Sequence, residues 1–299
     1  MNIQQIITRS PLYLMALLGL TLFVTPVAAQ VFGTGPSTSA LFDNVINVPA
    51  DGNLPFFSGI GGDGLTTQLN LSAGGDIGFF FDANAGGEVN ISGGNMGSGF
   101  NANSGSEVNI SGDSIGGMFN ANSGSLVNIS GGSISTLVAE SGSLLNISGG
   151  IIDLQLDPLL GSEVNISGGV INGLFSRPGS EVNISGGTFD PTSFFPFGGN
   201  FNLFGSDFFL DDVSLDDILT PDEAFTIDDR DVVLTSVLAD GSSFSLDLFT
   251  SGTEFNLTVT LVSSIPEPGS LTLLGLGGVV LLVRRRKTSV PEHRLRCQA

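Results

Sequence analysis

Glu88-Val89-Asn90-Ile91-Ser92-Gly93-Gly94 is the stretch on which the fold turns, because the chain keeps returning to it. Copies stand at Glu107 to Asp113, Leu126 to Gly132, Leu144 to Gly150, Glu163 to Gly169 and Glu181 to Gly187. Leu69-Asn70-Leu71-Ser72 is a degenerate copy ahead of them, and Phe201-Asn202-Leu203-Phe204 offers one behind. The asparagines Asn70, Asn90, Asn109, Asn128, Asn146, Asn165 and Asn183 fall 18 to 20 residues apart. A near-constant period of that size is the signature of a solenoid.

The pattern inside one period selects the solenoid. Val and Ile flank each Asn, so apolar residues alternate with Glu, Asn and Ser as in a half-buried strand. A second apolar column follows at Met96, Ile115, Ile134, Ile152, Ile171 and Phe189. A third is read at Phe100, Phe119, Val138, Leu156 and Phe175, with Phe194 one place further. Gly-Gly and Ser-Gly-Ser pairs between the columns supply the positive φ of sharp corners. Three short strands and three corners in about 19 residues make one rung of an all-β, right-handed parallel β-helix. Helical repeats need longer units, and a leucine-rich repeat would place Leu at the strand exit. About seven rungs, each rising ~4.8 Å, predict a rod of roughly 35 Å.

Around the rungs the chain divides by composition. Residues 1–29 read as a signal peptide, 30–65 as an N-terminal cap, 66–204 as the repeats and 205–264 as an acidic β cap. In that cap Asp231 to Thr235, Phe244 to Phe249 and Phe255 to Leu261 alternate as antiparallel strands, and Asp240-Gly241 marks a hairpin turn. Residues 265–287 read as a segment with a transmembrane helix, and 288–299 as a cytoplasmic tail. No rung can fold alone, so stability belongs to the stack, and its ends need covers against edge-to-edge pairing.

The chain has 299 residues, 29 acidic and 9 basic side chains, and a formal net charge of −20. Such a chain repels a phosphate backbone, which excludes nucleic-acid binding. There is no Trp, and Tyr13, His293, Cys297 and Lys287 all lie near the two ends. From Gln30 to Ile265 the only bases are Arg177 and Arg230, against every carboxylate except Glu267 and Glu292. Thiol nucleophiles, His-based triads, Cys/His metal sites and Schiff bases therefore lack their essential group there.

Three features could still carry chemistry. Asn-Ile-Ser is a glycosylation sequon, but acceptors ~4.8 Å apart leave no room for branched glycans. An outward amide ladder, each side chain hydrogen-bonded to the next rung, is the reading preferred. Glu88 with Glu107, and Glu163 with Glu181, stand on adjacent rungs as the paired carboxylates of a glycosidase would, yet they occupy a solvent-facing repeat position. The acidic stretch Asp207 to Asp231 has oxygen ligands suited to Ca²⁺, without EF-hand spacing. No catalytic set and no metal set is assigned, and no cofactor beyond that calcium is expected.

The ends read as addresses. Arg9, the apolar run Leu12 to Val24 and the small residues before a cut after Ala29 form a secretory signal, which needs signal peptidase as partner. At the other end Pro266-Glu267-Pro268 precedes the apolar stretch Leu271 to Val283, and Arg284-Arg285-Arg286-Lys287 follows it. The span is short for the ~30 Å hydrocarbon core, and its basic cluster stays on the cytoplasmic side. This order of parts resembles the PEP-CTERM sorting signal. The resemblance implies recognition by exosortase, a membrane transpeptidase-like cysteine protease, with release or transfer to the outer surface or extracellular matrix. The family's sorting residues map here onto Pro266, Glu267, Pro268, Arg284, Arg285 and Arg286. Thr288 to Ala299 extend past the point where the family usually stops, and a plain tail anchor is the alternative. The expected role is a structural or adhesive surface protein without catalysis. A carbohydrate-binding or carbohydrate-active protein acting on exopolysaccharide is the second class.

Overall fold

The computed structural model describes residues 44–48, 53–54, 58–62, 66–112, 114–215, 217–229, 231–248 and 255–262. The segments read as signal peptide, sorting signal and cytoplasmic tail lie outside these residues. The repeated Val-Asn-Ile strands stack edge to edge in parallel. Asn44–Val48 pairs with Thr67–Leu71, and that strand with Gly87–Ile91. The stacking then runs through Glu107–Ile110 and the first halves of Leu126–Ala139, Leu144–Pro158, Glu163–Ile171, Glu181–Phe189 and Asn200–Leu210. The result is an all-β parallel solenoid of about eight turns with about 19 residues in each. Register is like on like: Val89 faces Val108, Asn90 faces Asn109 and Ile91 faces Ile110. Slipping any strand by one residue would turn its Val and Ile outward, so burial fixes the register.

Inside the coils the apolar columns are dry. Val89, Val108, Val127, Leu145, Val164 and Val182 are wholly buried, as are the isoleucines two places on. Ile77, Met96, Ile115, Ile134, Ile152 and Ile171 line the second face from within. The third face differs from the sequence reading at two rungs. Its inner column is Phe100, Phe119, Leu137, Leu156, Leu174 and Phe194, while Val138 and Phe175 point outward and are half-buried. The corner between second and third faces loses one residue in those two turns. Ile134 to Leu137 and Ile171 to Leu174 are shorter by one than Met96 to Phe100, which shifts the inward parity.

The Gly-Gly corners bring main chain against main chain. A methyl placed on Gly149 would lie 2.5 Å from the Ser130 carbonyl oxygen one rung below. Serines at the strand exits bind across the same gap: Ser111 Oγ donates to Ile91 O and Ser130 Oγ to Ile110 O, both at 3.3 Å.

Both ends show departures from simple caps. Within the segment read as the N-terminal cap, Asn44–Val48, Asn53–Leu54 and Gly59–Ile60 each pair in parallel with the next turn and form a first coil. At the other end Val233–Leu238 and Ser243–Asp247 are the expected antiparallel hairpin, turning at Gly241 with φ +88°. Asn256–Leu261, expected to run antiparallel beside these two strands, does not pair with that hairpin. It joins the first face in parallel with Asn200–Leu210, and Ala224–Thr226 then closes its free edge in antiparallel fashion. Its Leu257 and Val259 point inward as the repeat's Val and Ile do, so the same burial draws it onto the stack. Asp240 holds the hairpin to the last Gly-Gly corner, since its Oδ2 accepts from Gly187 N at 2.8 Å.

Candidate functional site

The outer face of the first strands carries the most regular array. Asn47, Asn70, Asn90, Asn109, Asn128, Asn146, Asn165, Asn183 and Asn202 form a continuous ladder. Each Nδ2 donates to the Oδ1 of the rung before at 2.7 to 3.1 Å. Thr258 of the added strand caps it, its Oγ1 donating to Asn202 Oδ1 at 2.6 Å. From Asn70 to Asn202 these amides are half-buried, Asn47 at the end being exposed, and they spend their polar groups on one another.

The neighbouring column holds the glutamates. Glu88 pairs in register with Glu107, and Glu163 with Glu181; Glu107, Glu163 and Glu181 are exposed. Glu88 accepts from Asn90 Nδ2 and Gln68 Nε2, each at 2.8 Å. The Asn90 bond first, and then the Gln68 bond, hold its carboxyl below the usual glutamate range. A glycosidase acid needs the opposite displacement, upward, so that it keeps a proton to donate.

A second set of ladders was visible in Phe100-Asn101-Ala102-Asn103 and its copy Phe119-Asn120-Ala121-Asn122, though the sequence reading passed over it. Asn101 donates to Asp82 and Asn120 to Asn101, at 2.8 and 2.9 Å. Asn103 donates to Asn84 and Asn122 to Asn103, at 2.9 and 2.7 Å. Beyond that rung the third face changes character, and its outward column becomes Val138, Asp157, Phe175 and Phe195. Phe175, Phe195 and Phe197 stack with centroids 4.9 and 5.9 Å apart. Arg177 grips Asp157 through Nε and a terminal nitrogen at 2.8 and 2.9 Å.

In the acidic cap Asp207, Asp211, Asp212, Asp222 and Asp231 all have positive φ. Asp and Asn tolerate that left-handed geometry better than other side chains, so turn formation accounts for much of the acidic clustering. Asp211 also works within the fold, its Oδ1 accepting from Val233 N at 2.9 Å. Among the described residues no group of three or more His, Cys, Asp or Glu could hold a metal ion. No described helix is long and apolar enough to cross a membrane. The expected membrane span and the sorting residues Pro266, Glu267, Pro268, Arg284, Arg285 and Arg286 lie outside the described residues.

Fold and faces together define a parallel β-solenoid with amide-laddered outer surfaces. The chain also carries a PEP-CTERM protein-sorting motif, matched over residues 264–287. That motif marks an exosortase-sorted protein of the surface or extracellular space. No curated protein and no solved structure matches the chain.

Proposed function

We propose that this protein is a non-catalytic structural or adhesive element, handed by exosortase to the cell surface or extracellular matrix. Signal peptidase removes residues 1–29 during export. The apolar span Leu271 to Val283 then holds the precursor in the inner membrane with Arg284, Arg285 and Arg286 on the cytoplasmic side. Cutting near Pro266-Glu267-Pro268 frees the solenoid, and exopolysaccharide is its partner in the matrix.

The observation that carries the structural reading is the Asn ladder, which runs through nine strands with its amides satisfied internally. Such a face stiffens the stack. The downward displacement at Glu88 and the exposure of its repeat partners also support the reading against a carboxylate-based glycosidase. The test is to incubate the purified protein with exopolysaccharide from its own host. Glycan chain length and reducing ends should stay constant, while deletion of the protein in the host should weaken the cohesion of the matrix. Shortened chains or unsaturated products would refute the non-catalytic assignment.

A further inference from the structure

The third face breaks its own pattern partway along the stack, and the break is confined to the outward side. As far as Asn120 and Asn122 its two outward columns are amide ladders. The inward column then continues in apolar character through Leu137, Leu156, Leu174 and Phe194. Packing of the coil therefore demands no change outside. Yet the outward positions become Val138, Asp157, Phe175 and Phe195 in one column, and Glu140, Leu159, Arg177 and Phe197 in the next. These turns give up bonds that tie rung to rung, and put exposed aromatic area in their place.

Two accessible groups stand where the ladders stop. Phe195 and Phe197 are each 38% exposed, and Phe175 beside them is half-buried. The three ring planes agree within 30°, and the centroids of Phe175 and Phe197 lie 6.5 Å apart. Paired strands hold these rings, so their exposed area keeps one orientation. Next to them the Arg177 side chain is 49% exposed. It grips both oxygens of Asp157 side-on through Nε and Nη2, and Gln155 Nε2 donates to the same carboxylate at 3.2 Å. The guanidinium is thereby fixed, while Nη1 on its far side has no partner among the described residues.

This combination selects the ligand class. Asp157 neutralises Arg177, the one basic side chain among the described residues, and the chain carries a net charge of −20. An anionic ligand finds no net attraction there. A purely apolar ligand or a lipid tail would cover the guanidinium donors with nothing to accept from them. A pyranose meets both demands. Its weakly positive C–H hydrogens suit the negative face of an aromatic ring, and its hydroxyls accept from the remaining donors of Nη1 and Nη2.

We propose that Phe175, Phe195, Phe197 and Arg177 form a surface site for a neutral saccharide unit. The site gives the exopolysaccharide partner of the proposed function a place on the molecule, and to that extent rests on that reading. Processing by exosortase and matrix cohesion are read out separately, so failure of the site would leave delivery and the structural role untouched.

The test is calorimetric titration of the purified full chain with neutral gluco-, manno- and galacto-tetrasaccharides, and with tetragalacturonate as the anionic control. At least one neutral oligosaccharide should bind with a Kd tighter than about 1 mM, and more tightly than tetragalacturonate. Phe195→Leu and Phe197→Leu keep an apolar side chain but remove a ring. Each should weaken binding about fivefold or more, while the Tm falls by less than about 5 °C. Arg177→Lys keeps the charge without the fixed fork, and should weaken binding as well. No neutral binding, tetragalacturonate bound as tightly, or unchanged affinity in both phenylalanine variants would overturn the proposal. So would a parent chain that sediments as a dimer and becomes monomeric in Phe195→Leu, since the face would then be a contact between copies.

Discussion

Gly149→Ala isolates the contact on which stacking depends. The added methyl would lie 2.5 Å from the Ser130 oxygen and 3.1 Å from its carbonyl carbon, both main-chain atoms of the rung below. Neither can rotate away, so the two rungs must separate or shear. Gly149 does not occupy the left-handed region, and its substitution therefore reports packing rather than backbone strain. Overpacking of this kind costs about 1–3 kcal/mol, and a rigid main-chain neighbour puts it in the upper half. At ~2–4 °C per kcal/mol for a domain of this size, the Tm should fall by about 4–12 °C. Gly241→Ala is the control, because Gly241 has φ +88° and nothing within 4 Å of a new methyl. Only the left-handed penalty of ~1–2 kcal/mol applies there, for a fall of roughly 2–8 °C. Scanning calorimetry of the two variants and the parent decides the matter. A Gly149→Ala protein melting within about 2 °C of the parent would refute the close rung-to-rung approach.

Three further outcomes follow from the same geometry. Asn146→Ala removes the acceptor of Asn165 and the donor to Asn128. It should lower stability by about 1–2 kcal/mol, read as a lower urea midpoint at unchanged slope. Asp240→Ala should loosen the cap alone: hydrogen exchange across Val233–Leu238 and Ser243–Asp247 should quicken, while that in Glu107–Ile110 should not change. Glu88, whose carboxyl is held below its ordinary value, favours the folded state when ionised. Its contribution is present above the unfolded value of about 4.3 and is lost as the pH falls through the lower folded value. Glu88→Gln should therefore flatten the acid limb of a Tm-against-pH profile relative to the parent.

How much of this was legible depends on where the period held. The first face could be read rung by rung because Val-Asn-Ile repeats with little change in spacing. The coil at Asn44–Val48 escaped because Asn47 stands 23 residues before Asn70, outside the narrow range of the other steps. Val138 and Phe175 were placed inward because a fixed offset was carried across corners that lose one residue. In a strand, one residue reverses every side chain. Asn256–Leu261 looked like part of an antiparallel cap, since alternation alone does not state strand direction. Its parallel partner, Asn200–Leu210, comes from 56 residues earlier.

The most direct test of the surface-delivery assignment is the intact mass and cellular fraction of the protein in its native host, with and without exosortase. With the enzyme, the chain should lose residues 1–29 and everything beyond the region of Pro266-Glu267-Pro268, and should appear at the surface or in the matrix. Without it, the precursor should keep its C-terminal segment and stay in the membrane fraction. An unprocessed C-terminus in the membrane fraction of both strains would contradict the assignment and leave an anchored solenoid.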